Sequence, residues 1–316
     1  MSKTLLALGA MLPDEMTALD RHFAVIRLWK EPDPEAVLQK HRNEIVAILS
    51  RYDGKGVSAR MIEALPNLEI IAQYGVGVNN IDLPAAGARG VVVTNTPDVV
   101  TDDTANTALA LMLAVSRRVC EADMFVRCGK WRGGATFPLG TGLAGKTVGI
   151  LGLGRIGQAI ARRCAAFDMN VVYHGPREKP DQPYAFYHDL HAMAEASDFL
   201  VLSCVGGPGT EKIVDYSVLE ALGPRGFLIN VARGSVVREQ DLLAALYNKA
   251  IAGAGLDVYE NEPNVPESLF SMDHVVLLPH IGGHTHETKT AMGRLVMENL
   301  LAHFNGEPVK TRVAVS

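Results

Sequence analysis

Three short segments carry side chains suited to acid–base chemistry on a carbonyl group, namely Arg233, Glu262 and His280. Each follows an apolar run typical of a buried strand, so in a parallel sheet all three lie at the carboxyl edge. Arginine offers a planar fork to a carboxylate and a carbonyl oxygen, and a protonated histidine can donate a proton to that oxygen. A carboxylate beside the imidazole favours its charged form. Singly, each has a structural explanation, but together they predict the reduction of a 2-oxo acid.

A glycine-rich turn with the spacing G-x-G-x-x-G follows another apolar run, at Gly152, Gly154 and Gly157. The first glycine permits a tight turn, the second lets the backbone approach a pyrophosphate, and the third lets the helix pack closely on the strand. The positive end of the following helix would face the phosphates. Because the turn stands between a predicted strand and a predicted helix, with another strand at residues 170–175, it predicts a dinucleotide-binding site.

The strand after this turn indicates which dinucleotide is bound. In dinucleotide-binding folds this strand usually ends in Asp or Glu, whose carboxylate accepts hydrogen bonds from the adenosine ribose. In this chain Gly175 stands at that position. Arg177 and Lys179 follow as a cationic pair suited to a 2′-phosphate. The alternative is a solvated turn with incidental charge, and Glu178 between the two cations weakens their field. We predict NADPH in preference to NADH.

A second glycine-containing loop follows a predicted strand at residues 70–74. Gly75 and Gly77 there would expose backbone N–H groups, which make a suitable cradle for a small anion. On the loop alone, a purely structural role is the simpler interpretation.

The elements that must position these residues follow from apolar runs that alternate with helical segments, as in parallel sheets covered on both faces. Further strands are predicted at residues 5–8, 23–28, 45–49, 91–94, 199–204, 226–231, 251–258 and 275–278. Helices are predicted at residues 34–42, 58–64, 190–196, 217–222, 239–248 and 287–304. A long helix is expected from Ala105 to about residue 119, after polar caps at residues 101–104. The pattern predicts an α/β protein with two doubly wound parallel-sheet domains.

Composition narrows the class of protein. A 48% hydrophobic, 21% charged chain is typical of a globular protein, and a net charge of −5 argues against a nucleic-acid partner. No apolar run approaches the ~20 residues that span a bilayer. The four cysteines form no C-x-x-C pair, which is typical of a reducing compartment. We therefore expect a cytoplasmic protein without a membrane partner.

The clustered His280, His284 and His286 have no Cys nearby, and we predict no metal site.

These motifs, taken in order, resemble the D-isomer-specific 2-hydroxyacid dehydrogenase family over essentially the whole chain. The matching segments are residues 75–82, 151–157, 230–234, 256–263 and 279–282. The resemblance implies that Arg233 binds substrate, that Glu262 is the partner of His280, and that His280 donates the proton. It also implies that Val76 and Gly77 present N–H groups to the substrate carboxylate.

For the cofactor, the resemblance and the motifs together predict a set of contacts. In it, Asp257 holds the nicotinamide carboxamide. The full set is Thr104, Gly152, Leu153, Gly154, Arg155, Ile156, Gly157, Gly175, Arg177, Lys179, Cys204, Val205, Thr210, Val231, Ala232, Asp257, His280 and Gly282.

The family's architecture implies a flavodoxin-like substrate domain that includes the C-terminal helix, with a Rossmann dinucleotide-binding domain inserted into it. A last helix with no strand after it agrees with such a discontinuous domain. We predict residues 1–96 and 287–316 for the substrate domain and residues 97–286 for the NAD(P)-binding domain. Family members are commonly dimers paired through the cofactor domains, so a homodimer is expected.

The substrate is narrowed only in part. Residues 204–210 resemble glyoxylate and hydroxypyruvate reductases, but hydroxyphenylpyruvate reductases share the feature. Asn79 and Asn106 stand where many members carry acidic residues, and this departure bears on fine specificity rather than on activity. The leading hypothesis is NADPH-dependent reduction of a small 2-oxo acid to the D-2-hydroxy acid. A dinucleotide-sensing co-repressor is a second hypothesis, and oxidation of formate or phosphite, which needs an altered pocket, is a third.

Overall fold

The computed structural model describes residues 2–52 and 56–315. The chain forms two compact units, each with its own parallel sheet. The first unit comprises Met1–Val100 and His284–Ser316, and the second comprises Thr101–Gly283. None of the described helices is both long and apolar enough to cross a membrane.

The first unit contains a five-stranded parallel sheet in the order β2-β1-β3-β4-β5. This is the flavodoxin-like order, in which ligands bind at the carboxyl ends of the strands. Its strands are β1 (Lys3–Ala7), β2 (Phe23–Arg27), β3 (Ile45–Arg51), β4 (Ile70–Tyr74) and β5 (Val92–Thr94). Its helices are α1 (Pro13–His22), α2 (Pro34–His41), α3 (Ala59–Ala64), α4 (Leu83–Ala88) and the C-terminal helix (His286–Phe304). All five residues of β4 are buried, so the loop that follows it starts from a rigid position.

The second unit contains a seven-stranded parallel sheet in the order β12-β11-β10-β9-β6-β7-β8. Read from β8, this is the Rossmann order 3-2-1-4-5-6 with a seventh strand added at the edge. Its strands are β6 (Thr147–Leu151), β7 (Asn170–His174), β8 (Ala185–Phe186), β9 (Phe199–Leu202), β10 (Phe227–Asn230), β11 (Gly253–Leu256) and β12 (Val275–Leu277). Its helices are α5 (Thr101–Ser116), α6 (Val119–Arg127), α7 (Arg155–Ala166), α8 (Leu190–Glu195), α9 (Tyr216–Leu222) and α10 (Glu239–Tyr247). The two strand orders confirm the predicted fold class.

The predicted long helix is present as α5, but its two ends differ from the predicted Ala105 and residue 119. The residues expected to cap it form its first turn, since α5 begins at Thr101, and two aspartates there complement the positive helix end. The helix ends at Ser116, and Arg118 adopts a left-handed conformation (φ 55°), after which α6 begins at Val119. Sequence analysis also missed α1, whose Pro13 occupies the first helical turn, where proline is tolerated.

Candidate active site

The glycine turn after β6 has a geometry that only glycine allows at two of its positions. Gly152 has φ 95°, and a Cβ atom on it would lie 2.5 Å from the Cα of Cys204. A Cβ on Gly157 would lie 2.1 Å from the carbonyl oxygen of Gly152, so this residue lets α7 begin against the turn. At Gly154, by contrast, a Cβ would meet no described atom within 4 Å. The backbone of Gly154 can therefore be approached closely by a ligand.

The helix that follows has the N-terminal arrangement of an anion site. Gly154 is the N-cap of α7 and makes no side-chain capping bond. The predicted contacts Arg155, Ile156 and Gly157 form the first turn, where N–H groups and the helix dipole favour negative charge. The Leu153 side chain is buried, so any contact it makes with a ligand is through its backbone.

The loop after β9 closes on itself beside this turn. The Thr210 hydroxyl donates to the carbonyl oxygen of Val205 (2.6 Å) and lies 3.2 Å from that of Gly207. The Val205 side chain projects into solvent. Burial raises the pKa of the Cys204 thiol to about 11, so this cysteine stays neutral and places no negative charge near a phosphate.

The turn after β7 carries the residues predicted to select the dinucleotide. A Cβ on Gly175 would meet no described atom within 4 Å, which leaves room where other dinucleotide folds carry an acid. Arg177 is exposed and Lys179 is half-buried. The backbone N–H of Lys179 donates to the Tyr173 hydroxyl at 2.7 Å, so the turn is anchored to a buried side chain of β7.

Glu262 and His280 form an ion pair after β11 and β12. Nδ1 of His280 lies 2.7 Å from Oε2 of Glu262, and the backbone N–H of Tyr259 donates to Oε1 of the same carboxylate at 3.1 Å. The two side chains are 23% and 31% exposed, so solvent reaches them only in part. Because Nδ1 faces the glutamate, the proton for a substrate has to come from Nε2.

The electrostatics of this pair favour an ionised carboxylate. Burial acts to raise the pKa of Glu262. His280, through its hydrogen bond and charge, acts in the opposite direction, as do the N–H of Tyr259 and the charge of Arg233. These effects outweigh burial and lower the pKa of the Glu262 carboxyl below its usual range.

His280 stands on a backbone turn that Asp257 holds in place. His280 has φ 55°, a left-handed conformation. Asp257 is 2% exposed, and its carboxylate accepts the N–H of Ile281 at 2.7 Å and that of Gly282 at 2.8 Å. Burial raises the pKa of Asp257, and these two N–H donors act against that rise. The Thr104 hydroxyl donates to the carbonyl oxygen of Gly282 at 3.2 Å, which ties α5 to the same turn.

Arg233 follows β10, at a turn fixed by the last residue of that strand. Asn230 is buried. Its side chain accepts the N–H of Ala232 at 3.0 Å and donates to the carbonyl oxygen of Arg233 at 3.1 Å. A Cβ on Gly234 would lie 1.9 Å from the carbonyl carbon of Tyr259, so only glycine fits there. The predicted contacts Val231 and Ala232 are buried. The structure therefore brings Glu262 into contact with His280 and within electrostatic range of Arg233.

Two supporting residues were missed in the sequence analysis. Asn230 forms the Arg233 turn, and Tyr259 orients Glu262 through its N–H and donates its hydroxyl to the carbonyl oxygen of Leu278 at 3.0 Å. Both lie within the segments that carry the family resemblance, which was the available signal. Val76 and Gly77 lie in the first unit, in the loop after β4, and their contact with a substrate stays a prediction.

Comparison with known proteins decides the family. Residues 109–282 match the model of the D-isomer specific 2-hydroxyacid dehydrogenase, NAD binding domain. The chain belongs to the D-isomer specific 2-hydroxyacid dehydrogenase family. It is therefore an oxidoreductase with a nicotinamide dinucleotide-binding domain, and the predicted family membership and enzyme class are confirmed.

Relatives of this dehydrogenase match almost its full length. It is 47% identical to the glyoxylate/hydroxypyruvate reductase A HPR2 of Arabidopsis thaliana over 295 residues, 93% of this chain and 94% of the relative. It is 46% identical to the hydroxyphenylpyruvate reductase of Plectranthus scutellarioides over the same shares of the two chains. Its structure is similar to that of the NADPH-dependent glyoxylate/hydroxypyruvate reductase of Sinorhizobium meliloti in complex with NADP and malonate. That match has a TM-score of 0.93 and 42% identity, and covers 99% of this chain and 98% of the other.

Proposed function

We propose that this dehydrogenase reduces a small 2-oxo acid of the glyoxylate or hydroxypyruvate class to the D-2-hydroxy acid, with NADPH as the reductant. The observation that carries the proposal is the 2.7 Å contact between Nδ1 of His280 and Oε2 of Glu262. Because Nδ1 faces the carboxylate in this contact, the proposal assigns the role of the acid to Nε2 of the imidazole. The names of the Arabidopsis and Sinorhizobium relatives support the substrate class.

The proposal gives each of the chain's own residues a role that the geometry supports. Glu262 holds the His280 ring through Nδ1, and Asp257 fixes the turn from which the imidazole is presented. The proton then passes from Nε2 to the carbonyl oxygen of the substrate. Arg233 offers its guanidinium to the substrate carboxylate and to the oxygen on which charge develops. A bound reduced dinucleotide supplies the hydride for the carbonyl carbon.

The residues present fit such a dinucleotide. Gly154 leaves its backbone open, and α7 has no side-chain cap in front of its first turn. In our proposal the pyrophosphate lies against residues 152–157 and the 2′-phosphate against Arg177 and Lys179. The Sinorhizobium relative is described as NADPH-dependent, which supports the same cofactor choice here.

Hydroxyphenylpyruvate is a second candidate substrate, because the Plectranthus relative is as similar to this chain as the Arabidopsis relative is. The oxidation of added NADPH, followed by absorbance, tests glyoxylate, hydroxypyruvate and hydroxyphenylpyruvate in parallel. We expect the highest kcat/KM with one of the two smaller acids. A higher kcat/KM with hydroxyphenylpyruvate than with the smaller acids would make the aromatic acid the assigned substrate. Dinucleotide binding without turnover of any 2-oxo acid would favour a dinucleotide-sensing binding protein instead.

We further propose that two copies pair through their second units. Several large apolar side chains of this unit are exposed on α6 and just after it, with Trp131 69% and Leu139 94% exposed. Val119, Met124 and Val126 on α6 are also exposed, and such a group of apolar residues is typical of an interface. Light scattering on the purified protein should give the mass of a dimer, and Met124→Glu should shift it toward the monomer. A monomeric wild type would contradict the pairing.

A further inference from the structure

The loop after β4 is held through three consecutive carbonyl groups. The N–H of Thr96 donates to the carbonyl oxygen of Gly75 at 2.9 Å. Nδ2 of Asn95 donates to that of Val76 at 2.8 Å, and Nε2 of Gln73 donates to that of Gly77 at 2.9 Å. The donors come from the ends of β4 and β5, which belong to the same sheet. The loop is therefore held at three successive peptide groups by donors from the two neighbouring strands.

These bonds determine where the N–H groups of the loop point. In a trans peptide the carbonyl and the following N–H lie on opposite sides of the chain. The N–H groups of Val76, Gly77 and Val78 are consequently turned away from the three donors. Across residues 2–52 and 56–315, none of these three N–H groups donates to a protein acceptor, and all three residues are partly exposed. Successive free N–H groups of this kind bind a small anion such as a carboxylate.

The orientation of the Gln73 amide is itself fixed. Gln73 is 0% exposed, and its Nε2 also donates to Oδ1 of Asn80 at 2.9 Å, while Nδ2 of Asn80 donates to the carbonyl oxygen of Arg51 at 2.6 Å. A reversed amide would place an oxygen against two acceptors. In the observed orientation Oε1 is buried and meets no hydrogen-bond partner in the described chain. The protein thus leaves one buried acceptor unpaired, which is unfavourable, while both donor hydrogens of the amide support the loop.

Family resemblance already assigns the N–H groups of Val76 and Gly77 to the substrate carboxylate, and we call these groups with that of Val78 the carboxylate cradle. We propose that Gln73 and Asn95 are the positioning residues that hold this cradle in shape. The inference rests on the proposed function, because it takes the carboxylate of a 2-oxo acid as the occupant. Neither positioning residue touches the ligand. N–H donors bond a charged oxygen about twice as strongly as a neutral one, so the cradle selects an acid over its uncharged amide.

The test compares glyoxylate with glyoxylamide, its neutral analogue, in Gln73→Met and Asn95→Leu. Both replacements keep the approximate shape of the side chain and remove the donors. We expect KM for glyoxylate to rise roughly 10-fold or more, as for a weakened charge-assisted bond, with a smaller change in kcat. The ratio of kcat/KM for the acid to that for the amide should fall by a similar factor. Asn67→Leu is the matched control, because Asn67 donates to the Asn43 carbonyl oxygen at 2.8 Å, away from this loop.

The outcomes separate the inference from the proposed function. Equal losses for acid and amide in both variants would show a general structural effect and overturn the cradle. An unchanged ratio with normal turnover would overturn the cradle and leave the proposed function intact. If the wild type reduces no 2-oxo acid, the cradle is tested by calorimetric titration with oxamate, a carboxylate that is not reduced. Oxamate binding by the wild type that is weaker in the two variants supports the cradle, and the absence of oxamate binding by the wild type overturns it. Asn95 is half-buried, so Asn95→Leu remains informative if Gln73→Met fails to fold.

Discussion

Glu262 contacts His280 with one carboxylate oxygen and the protein backbone with the other. Oε2 lies 2.7 Å from Nδ1 of the imidazole, and Oε1 accepts the N–H of Tyr259 at 3.1 Å. The backbone therefore sets the direction of the carboxylate, and the carboxylate sets the plane of the ring. The imidazole of His280 held in this way presents its Nε2 atom in one direction, as a general acid requires.

Replacing the proton donor should abolish most turnover without affecting the dinucleotide. We expect His280→Ala to lower kcat for glyoxylate by ~100-fold or more, the usual scale of general acid catalysis. NADPH affinity, measured by fluorescence titration, should change little. The control is His191→Ala, because His191 is an exposed histidine of the same unit, with Nε2 3.0 Å from the Ser217 hydroxyl. Near-normal turnover in His280→Ala would remove this residue from the mechanism.

The lowered pKa of Glu262 predicts how its contribution to stability depends on pH. The unfolded carboxyl has the higher pKa, so the contribution is fully present above that ordinary value and is lost as pH falls through the lower folded value. Thermal melting of wild type and Glu262→Gln should therefore differ most near neutral pH, with the wild type more stable. The difference should shrink as the pH falls below about 4, the usual range of a carboxyl group. A gap that widens with acid would contradict the ion pair.

Asp257 should act on the reaction through the backbone of the His280 turn. In Asp257→Asn one of the N–H groups of Ile281 and Gly282 faces an amide donor instead of an oxygen, so one bond is lost and the other is no longer charge-assisted. We expect kcat to fall roughly 10-fold or more, whereas Asp181→Asn, on the exposed surface, should have no effect. A weaker affinity for the dinucleotide at unchanged kcat would instead indicate the role implied by family resemblance, a contact with the nicotinamide carboxamide.

Arg177 should separate the two dinucleotides. A bond to a charged group contributes about 1.5–3 kcal/mol, so Arg177→Ala should weaken NADPH binding by about 10- to 100-fold and leave NADH nearly untouched. Arg162→Ala removes an exposed charge from α7 of the same unit and is the control for general electrostatics. The role of Arg177 in binding the 2′-phosphate is contradicted if the wild type binds NADH more tightly than NADPH, or if Arg177→Ala weakens the binding of both dinucleotides equally.

The fold and the main chemistry could be predicted from the sequence because their signals are local. Strand, turn and helix around Gly152 each leave a pattern in consecutive residues, and the side chains after β10, β11 and β12 share a sheet edge as expected. The break at Arg118 left no such signal, since no glycine or proline marks it.

Side-chain bonds to the backbone escaped prediction for a different reason. Gln73 was counted as part of a strand, and Asn95 followed another strand, yet both hold the loop at residues 75–78. Such bonds depend on the directions of single amide groups, which hydrophobic periodicity does not encode. The same is true of the bonds made by Asn230 and Tyr259. Asn230 bonds within its own turn, whereas Tyr259 donates its N–H to Glu262 and its hydroxyl to the carbonyl oxygen of Leu278.

The empty space beside Gly154 has a consequence for how the protein can lose its activity. Folding requires glycine at Gly152 and Gly157, where a side chain would collide with the backbone, but a methyl group on Gly154 would collide with nothing in the described chain. We expect Gly154→Ala to melt like the wild type and to fail in a dinucleotide titration, whereas equally tight binding would show that the ligand keeps its distance from this residue. The addition of a single carbon atom would then leave a stably folded protein without dehydrogenase activity.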